Sequence, residues 1–70
     1  MRRYLIVIEK AGANYSAYSP DLPGCVATGT TPNETKARMR EAIDLHLRGL
    51  AEDHAPIPEP SALGEVVEVG

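Results

Sequence analysis

Residues 20–34 read P-D-L-P-G-C-V-A-T-G-T-T-P-N-E, and this stretch holds the signals that organise the rest of the chain. Its end marks a helix start. Thr31 stands at the N-cap and Pro32 at the first helical position, where a missing N–H leaves no bond unmade. Glu34 follows three residues after the cap, where it can reach back to complete a capping box. Its beginning, residues 20–24, interrupts extended structure, because two prolines cannot donate ladder hydrogen bonds and Gly24 tolerates dihedrals that other residues avoid. Between the two, C-V-A-T-G at residues 25–29 predicts a short strand of small side chains, approached closely by a helix or by another backbone.

Upstream, residues 3–9 carry Y-L-I-V-I in their middle, a β-branched and aliphatic run followed by the turn residues Gly12 and Asn14. This predicts a strand and a hairpin. The partner strand is residues 15–19, with Tyr15, Ala17 and Ser19 on one face and Ser16 and Tyr18 on the other. Downstream of the cap, Met39, Ala42, Ile43, His46, Leu47 and Leu50 recur at spacings of three and four. That spacing gives one apolar helix face to lie on the sheet. The opposite face carries Glu34, Arg38, Glu41, Asp44 and Arg48, with Glu34–Arg38 and Asp44–Arg48 four apart and able to pair. Gly49 disfavours helix, so the element is expected to fray or meet a close contact there and to end near Asp53. The connector A-P-I-P-E-P at residues 55–60 is extended and stiff. After it, E-V-V-E-V at residues 65–69 predicts a last strand at a sheet edge. The fold expected is α+β, a three-stranded antiparallel sheet with one helix packed on it and a C-terminal strand, in the order β-β-β-α-β.

A chain of 70 residues makes a single domain. So small a fold buries only roughly 60% of the surface its unfolded chain exposes, so stabilisation by self-association is expected. With 43% hydrophobic residues and no Phe or Trp, three tyrosines supply the aromatic packing. The net charge of −3 disfavours nucleic acid as a direct ligand, since phosphate binding needs clustered Lys and Arg, and suits a basic protein better. The longest apolar run, residues 5–8, is far too short for a signal peptide or a membrane span, and the lone Cys25 cannot form an internal disulfide. A cytoplasmic protein without membrane contact is expected.

The order of elements, with P-D-L-P-G-C before the third strand and the capping box after it, resembles the HicB antitoxin family. The matching positions run from Tyr15 and Ala17 through Pro20, Asp21, Leu22, Pro23, Gly24 and Cys25 to Ala27, Gly29, Thr31 and Glu34. The similarity continues through R-E-A-I-D-L-H-L-R-G-L at residues 40–50 and I-P-E-P-S at residues 57–61. Thr35 departs from the pattern, where the family's helix start has alanine. The resemblance implies a partial RNase H-like fold. It also implies an antitoxin role in a type II toxin-antitoxin system, holding inactive a HicA-type toxin, one of a class of small basic ribonucleases that cut messenger RNA. Many HicB proteins also carry a C-terminal helix-turn-helix or ribbon-helix-helix domain. This chain stops at Gly70, so the expectation is a single HicB-like domain that does not bind DNA directly.

An RNase H-like fold raises the question of catalysis, since its enzymes hold two divalent metals with carboxylates on neighbouring strands. Glu9, Asp21, Asp53, Glu59, Glu65 and Glu68 form no such constellation, so neither enzyme activity nor a metal or other cofactor is expected. His46 and His54 are eight apart; His46 reads as a packed or boundary histidine, or as a group that blocks the toxin, and His54 as a residue at a frayed helix end. Cys25 has no partner in sequence to make it a nucleophile and reads as a small buried hydrophobe. Asp21 either caps its own turn or pairs with a basic residue of a partner. Arg2, Arg3 and Lys10 read as solvated flanks.

The implied mechanism is steric and electrostatic: an acidic surface covers the RNA-binding or catalytic surface of a basic toxin. The residues expected to make that contact are Asp21, Leu22, Pro23 and Gly24 of the loop, with Glu34, Glu41, Asp44 and His46 of the helix. A homodimer or higher homo-oligomer is also expected, from the small core and the sheet edge near residues 65–69. The alternative reading is a standalone homo-oligomeric scaffold or adaptor without a toxin.

Overall fold

The computed structural model describes residues 2–70 and places them as three strands followed by one helix: β1 (Val7–Ala11), β2 (Asn14–Ser19), β3 (Leu22–Gly29) and α1 (Pro32–Glu52). The strands form one antiparallel sheet in the order β1-β2-β3. Gly12, at φ 62°, makes the two-residue turn between β1 and β2, with Ala11 opposite Asn14. In β1, Ile8 lies opposite Ala17, and in β3 Ala27 lies opposite Ala17 from the other side, so one row of small and aliphatic side chains faces the helix.

β1 begins at Val7, four residues later than the run of apolar residues suggests. Val7 pairs with Tyr18 and β2 ends at Ser19, so the residues upstream of Val7 have little ladder to join. The Ser19 hydroxyl donates instead to the Leu5 carbonyl at 2.8 Å. β3 begins at Leu22 rather than at residue 25, since Pro20 and Asp21 alone form the turn that places Ser19 opposite Leu22. The next pair is Tyr18 with Val26, which leaves Pro23, Gly24 and Cys25 as a bulge. β3 is an edge strand, where the missing N–H of Pro23 costs no ladder bond, and Gly24 supplies φ 81° within the bulge.

The helix start conforms to its sequence signals, with one adjustment. Thr31 is the N-cap and its side chain accepts from the Glu34 amide at 3.1 Å. The Glu34 carboxylate reaches back one residue further than a capping box requires, accepting from the Thr30 amide at 3.2 Å and the Thr30 hydroxyl at 3.1 Å. Thr35, which weakens intrinsic helix propensity, is fully buried and returns its hydroxyl proton to the Thr31 carbonyl at 2.7 Å. It lies against Gly29, whose lack of a side chain permits the close approach expected of that strand.

The helix neither frays nor meets a neighbour at Gly49, and runs on to Glu52. His54 then takes the left-handed conformation at φ 54°, its amide donating to Ala51 at 3.1 Å while the Ala55 amide donates to Leu50 at 2.9 Å. These two bonds are those of a Schellman cap with histidine at the position glycine favours.

The core is thin: Ala17, Leu22, Cys25 and Met39, ringed by half-buried Tyr4, Ile6, Ile8, Ala42, Ile43 and Leu47. The expected last strand is not formed. Residues 65–69 are exposed and carry no regular structure, because the chain before them is tied across the end of the sheet rather than along an edge. The Tyr4 hydroxyl donates to the Pro58 carbonyl at 2.5 Å, and Ser61 and Ala62 bond to Asp21 in the β2–β3 turn.

Candidate partner-binding surface

The residues expected to meet a partner fall into two groups. Asp21, Leu22 and Glu34 are committed within the chain. The Asp21 carboxylate accepts from the Ala62 amide at 3.1 Å, the Ser61 amide at 3.0 Å and the Ser61 hydroxyl at 2.9 Å. Its hydrogen bonds thus run to residues 61 and 62 rather than to its own turn. These bonds hold its carboxyl below the ordinary aspartate value. Leu22 is 0% exposed, a core residue that offers no surface. The bonds from Thr30, helped by Arg38 at 3.2 Å, hold the Glu34 carboxyl below its ordinary value.

Pro23, Gly24, Glu41 and Asp44 are exposed, and His46 is half-buried on the helix stripe that carries Met39 and Ala42. Asp44 pairs with Arg48 at 3.0 Å, as its spacing suggests. Between Glu41 and Arg48 on the same outer face stands Leu45, 71% exposed. Leu45 falls off the apolar periodicity, which is why attention to the periodic positions passes over it. On the sheet face away from the helix, Val7, Tyr18 and Val26 stand in register across the three strands, with Tyr18 and Val26 exposed.

Four basic residues converge where the sequence shows only scattered ones. Arg2 and Arg3 lie with Lys36 and Arg40 around a groove of about 820 Å³ between the N-terminal arm and α1. The sequence reading passed over Lys36 and Arg40; their i,i+4 spacing is the one local signal for this cluster, and their meeting with the arm has none. Burial pushes the Cys25 thiol up. Among the described residues no three or more His, Cys, Asp or Glu side chains come together as a group that could hold a metal ion. Nor, among them, is any helix long and apolar enough to cross a membrane.

Residues 4–69 match the model of a family described as HicB-like antitoxin of bacterial toxin-antitoxin systems. The chain belongs to the HicB-like antitoxin family. It is 34% identical over 64 residues to an uncharacterised 14.9 kDa protein from the rep-hol intergenic region of Haemophilus phage HP1. That alignment covers 91% of this chain and 48% of the phage protein, so the chain spans about half of that relative. A UPF0150 protein of Synechocystis sp. is 35% identical over 80% of this chain and 72% of its own length. A UPF0150 protein of Thermoplasma acidophilum is 31% identical over 86% and 88%. No solved structure matches. Within the HicB-like family, this chain shows a three-stranded sheet and one helix, with Asp21 of its P-D-L-P-G-C stretch bonded to Ser61 and Ala62.

Proposed function

We propose that this HicB-like chain acts in the cytoplasm as an antitoxin without catalytic activity of its own, binding and neutralising a small basic, mRNA-cleaving toxin of the HicA type. The family match over residues 4–69 carries the reading. The net charge of −3 supports it, since an acidic surface is attracted to a basic ribonuclease and excludes its RNA. The contact surface proposed is the outer face of α1, with Glu41 and Asp44 as charges and exposed Leu45, one turn on from Glu41, as the apolar anchor beside them. Pro23 and Gly24 of the β3 bulge are exposed and available to the same partner, and His46 contributes only where its half-buried ring reaches the surface. Asp21, Glu34 and Leu22 act indirectly, by holding the fold that presents this face.

The test is co-expression with a HicA-type ribonuclease from the same host, followed by co-purification and an RNA-cleavage assay. A stable complex with suppressed cleavage is expected, together with loss of suppression in Glu41→Lys/Leu45→Asp at unchanged helix content. A toxin that cleaves RNA undiminished beside an excess of the folded chain rules the proposal out.

A further inference from the structure

Between the N-terminal arm and the second and third turns of α1 runs an open groove whose rim carries Arg2, Arg3, Lys36 and Arg40. These are four of the seven basic residues in a chain of net charge −3. All four are exposed, and the two ion pairs of the helix use Arg38 and Arg48 instead. Lys36 and Arg40 stand one turn apart, where like charges repel, and the arm brings two more of the same sign to them. Among the described residues Glu41 is the one acid lining this part of the groove, so four cations face one carboxylate. Farther along α1 the lining reaches Asp44, which Arg48 already holds at 3.0 Å. The rim therefore suits a ligand that brings its own negative charge.

The side chains specify the kind of anion. Three of the four cations are guanidinium groups, whose paired N–H donors match two oxygens of one phosphate. A carboxylate offsets one charge and a phosphate monoester about two, so a run of two or three phosphates is what meets the whole rim. The floor is apolar, with Tyr4, Ile6 and Ile43 half-buried along it. An open groove with one apolar wall gives an acyl chain little enclosure, whereas a flat base covers such a wall with one face. Glu41 beside the cations is an acceptor of the type that binds ribose hydroxyls. The volume of about 820 Å³ lies within the roughly 300–1,000 Å³ of small-molecule sites.

We propose that this groove binds a nucleoside polyphosphate, its phosphates held by Arg2, Arg3, Lys36 and Arg40 and its base laid on Ile6 and Ile43. A free nucleotide and the 5′-triphosphate end of an RNA strand offer the same chemistry, and the experiment separates them. This inference goes beyond the antitoxin reading and does not rest on it. Glu41 lies on both surfaces, so it is left native, and the titrations use the chain without any toxin.

The test is isothermal titration of the whole chain, free of divalent metal, with ATP, adenosine and inorganic tripolyphosphate. ATP is expected to bind at least roughly tenfold more tightly than either fragment. Lys36→Ala/Arg40→Ala should weaken ATP binding at least roughly tenfold with helix content unchanged, because both residues are exposed and alanine favours helix. Arg48→Ala removes a helix cation outside the groove and should bind ATP as the native chain does. Displacement of ATP by a short RNA with a 5′-triphosphate, and not by the same RNA with a 5′-hydroxyl, assigns the site to the strand end; displacement by neither assigns it to the free nucleotide. Four results overturn the proposal: no ATP binding, tripolyphosphate bound as tightly as ATP, an equal loss in Arg48→Ala, or displacement by the 5′-hydroxyl RNA.

Discussion

The Asp21 carboxylate, in the turn between β2 and β3, accepts hydrogen bonds from both the amide and the hydroxyl of Ser61, 40 residues away, and a third from Ala62. An acidic turn residue thus acts as the latch that fixes where the C-terminal segment leaves the body. Removing it with Asp21→Ala should leave the sheet and helix intact while the Ser61 and Ala62 amides exchange hydrogen several-fold faster, measured by exchange mass spectrometry. Unchanged exchange at those two amides would show that the Tyr4–Pro58 bond alone holds the segment.

The same latch is sensitive to acid. The native carboxyl is held below its unfolded value, so its contribution is complete above the ordinary aspartate value of about 3.9 and is lost as pH falls through that value toward the lower native one. Glu34 shifts in the same direction at the helix start and adds to the loss. Protection of Ser61 and Ala62 should therefore hold from neutral pH to about 5 and decline below about 4, corrected for intrinsic exchange. A decline centred near neutrality would assign the switch to other groups.

Gly29 and Thr35 set the spacing between sheet and helix. A β-carbon on Gly29 would lie 2.6 Å from Thr35 Oγ1 and 2.8 Å from the Thr35 amide nitrogen, which itself bonds to Thr31 at 2.9 Å. The hydroxyl can rotate about its own bond; the backbone nitrogen, held in a capped first turn, has nowhere to go. Gly29→Ala should destabilise by about 1–3 kcal/mol, a large share of the total expected for so small a domain. Thermal unfolding should show a midpoint lowered by about 10 °C.

The helix carries its glycine five residues before the position that wants one. Nothing lies within 4 Å of a β-carbon placed on Gly49, inside the helix, while His54 holds φ 54° at the Schellman cap. Gly49→Ala and His54→Gly should each stabilise by about 1 kcal/mol, the first by removing unfolded-state freedom and the second by relieving a left-handed side chain. The double variant should unfold at higher denaturant with an unchanged slope. A loss of stability from Gly49→Ala would mean that this side of the helix is covered in solution.

The parts of this fold that were legible in sequence are local ones. The capping residues Thr31, Pro32 and Glu34, the Gly12 turn and the periodic face of α1 are each set by neighbours a few residues apart. The parts that were not legible depend on distant partners. Asp21 could be assigned to its own turn or to another protein, because nothing near it in the chain indicates Ser61. Arg2 and Arg3 look like solvated flanks until the fold lays them beside Lys36 and Arg40. Residues 65–69 have the composition of a strand, but composition supplies no edge to pair with, and the latch at Asp21 directs them elsewhere.

Cys25 offers a direct measure of how firmly this thin core is closed. Its side chain is 4% exposed among Ala17, Leu22 and Met39, and burial pushes its thiol up, so both access and thiolate fraction oppose reaction. Labelling by a thiol reagent near pH 8 should be slow in the native chain and proceed at the rate of core opening, then become fast in denaturant. Met39→Ala removes the fully buried side chain of α1 from the same cluster and should cost about 2–5 kcal/mol. If opening is what admits the reagent, that substitution must accelerate labelling by at least tenfold while leaving the rate in denaturant unchanged. Fast labelling of the native chain would place the thiol at the surface and contradict its position beneath the helix.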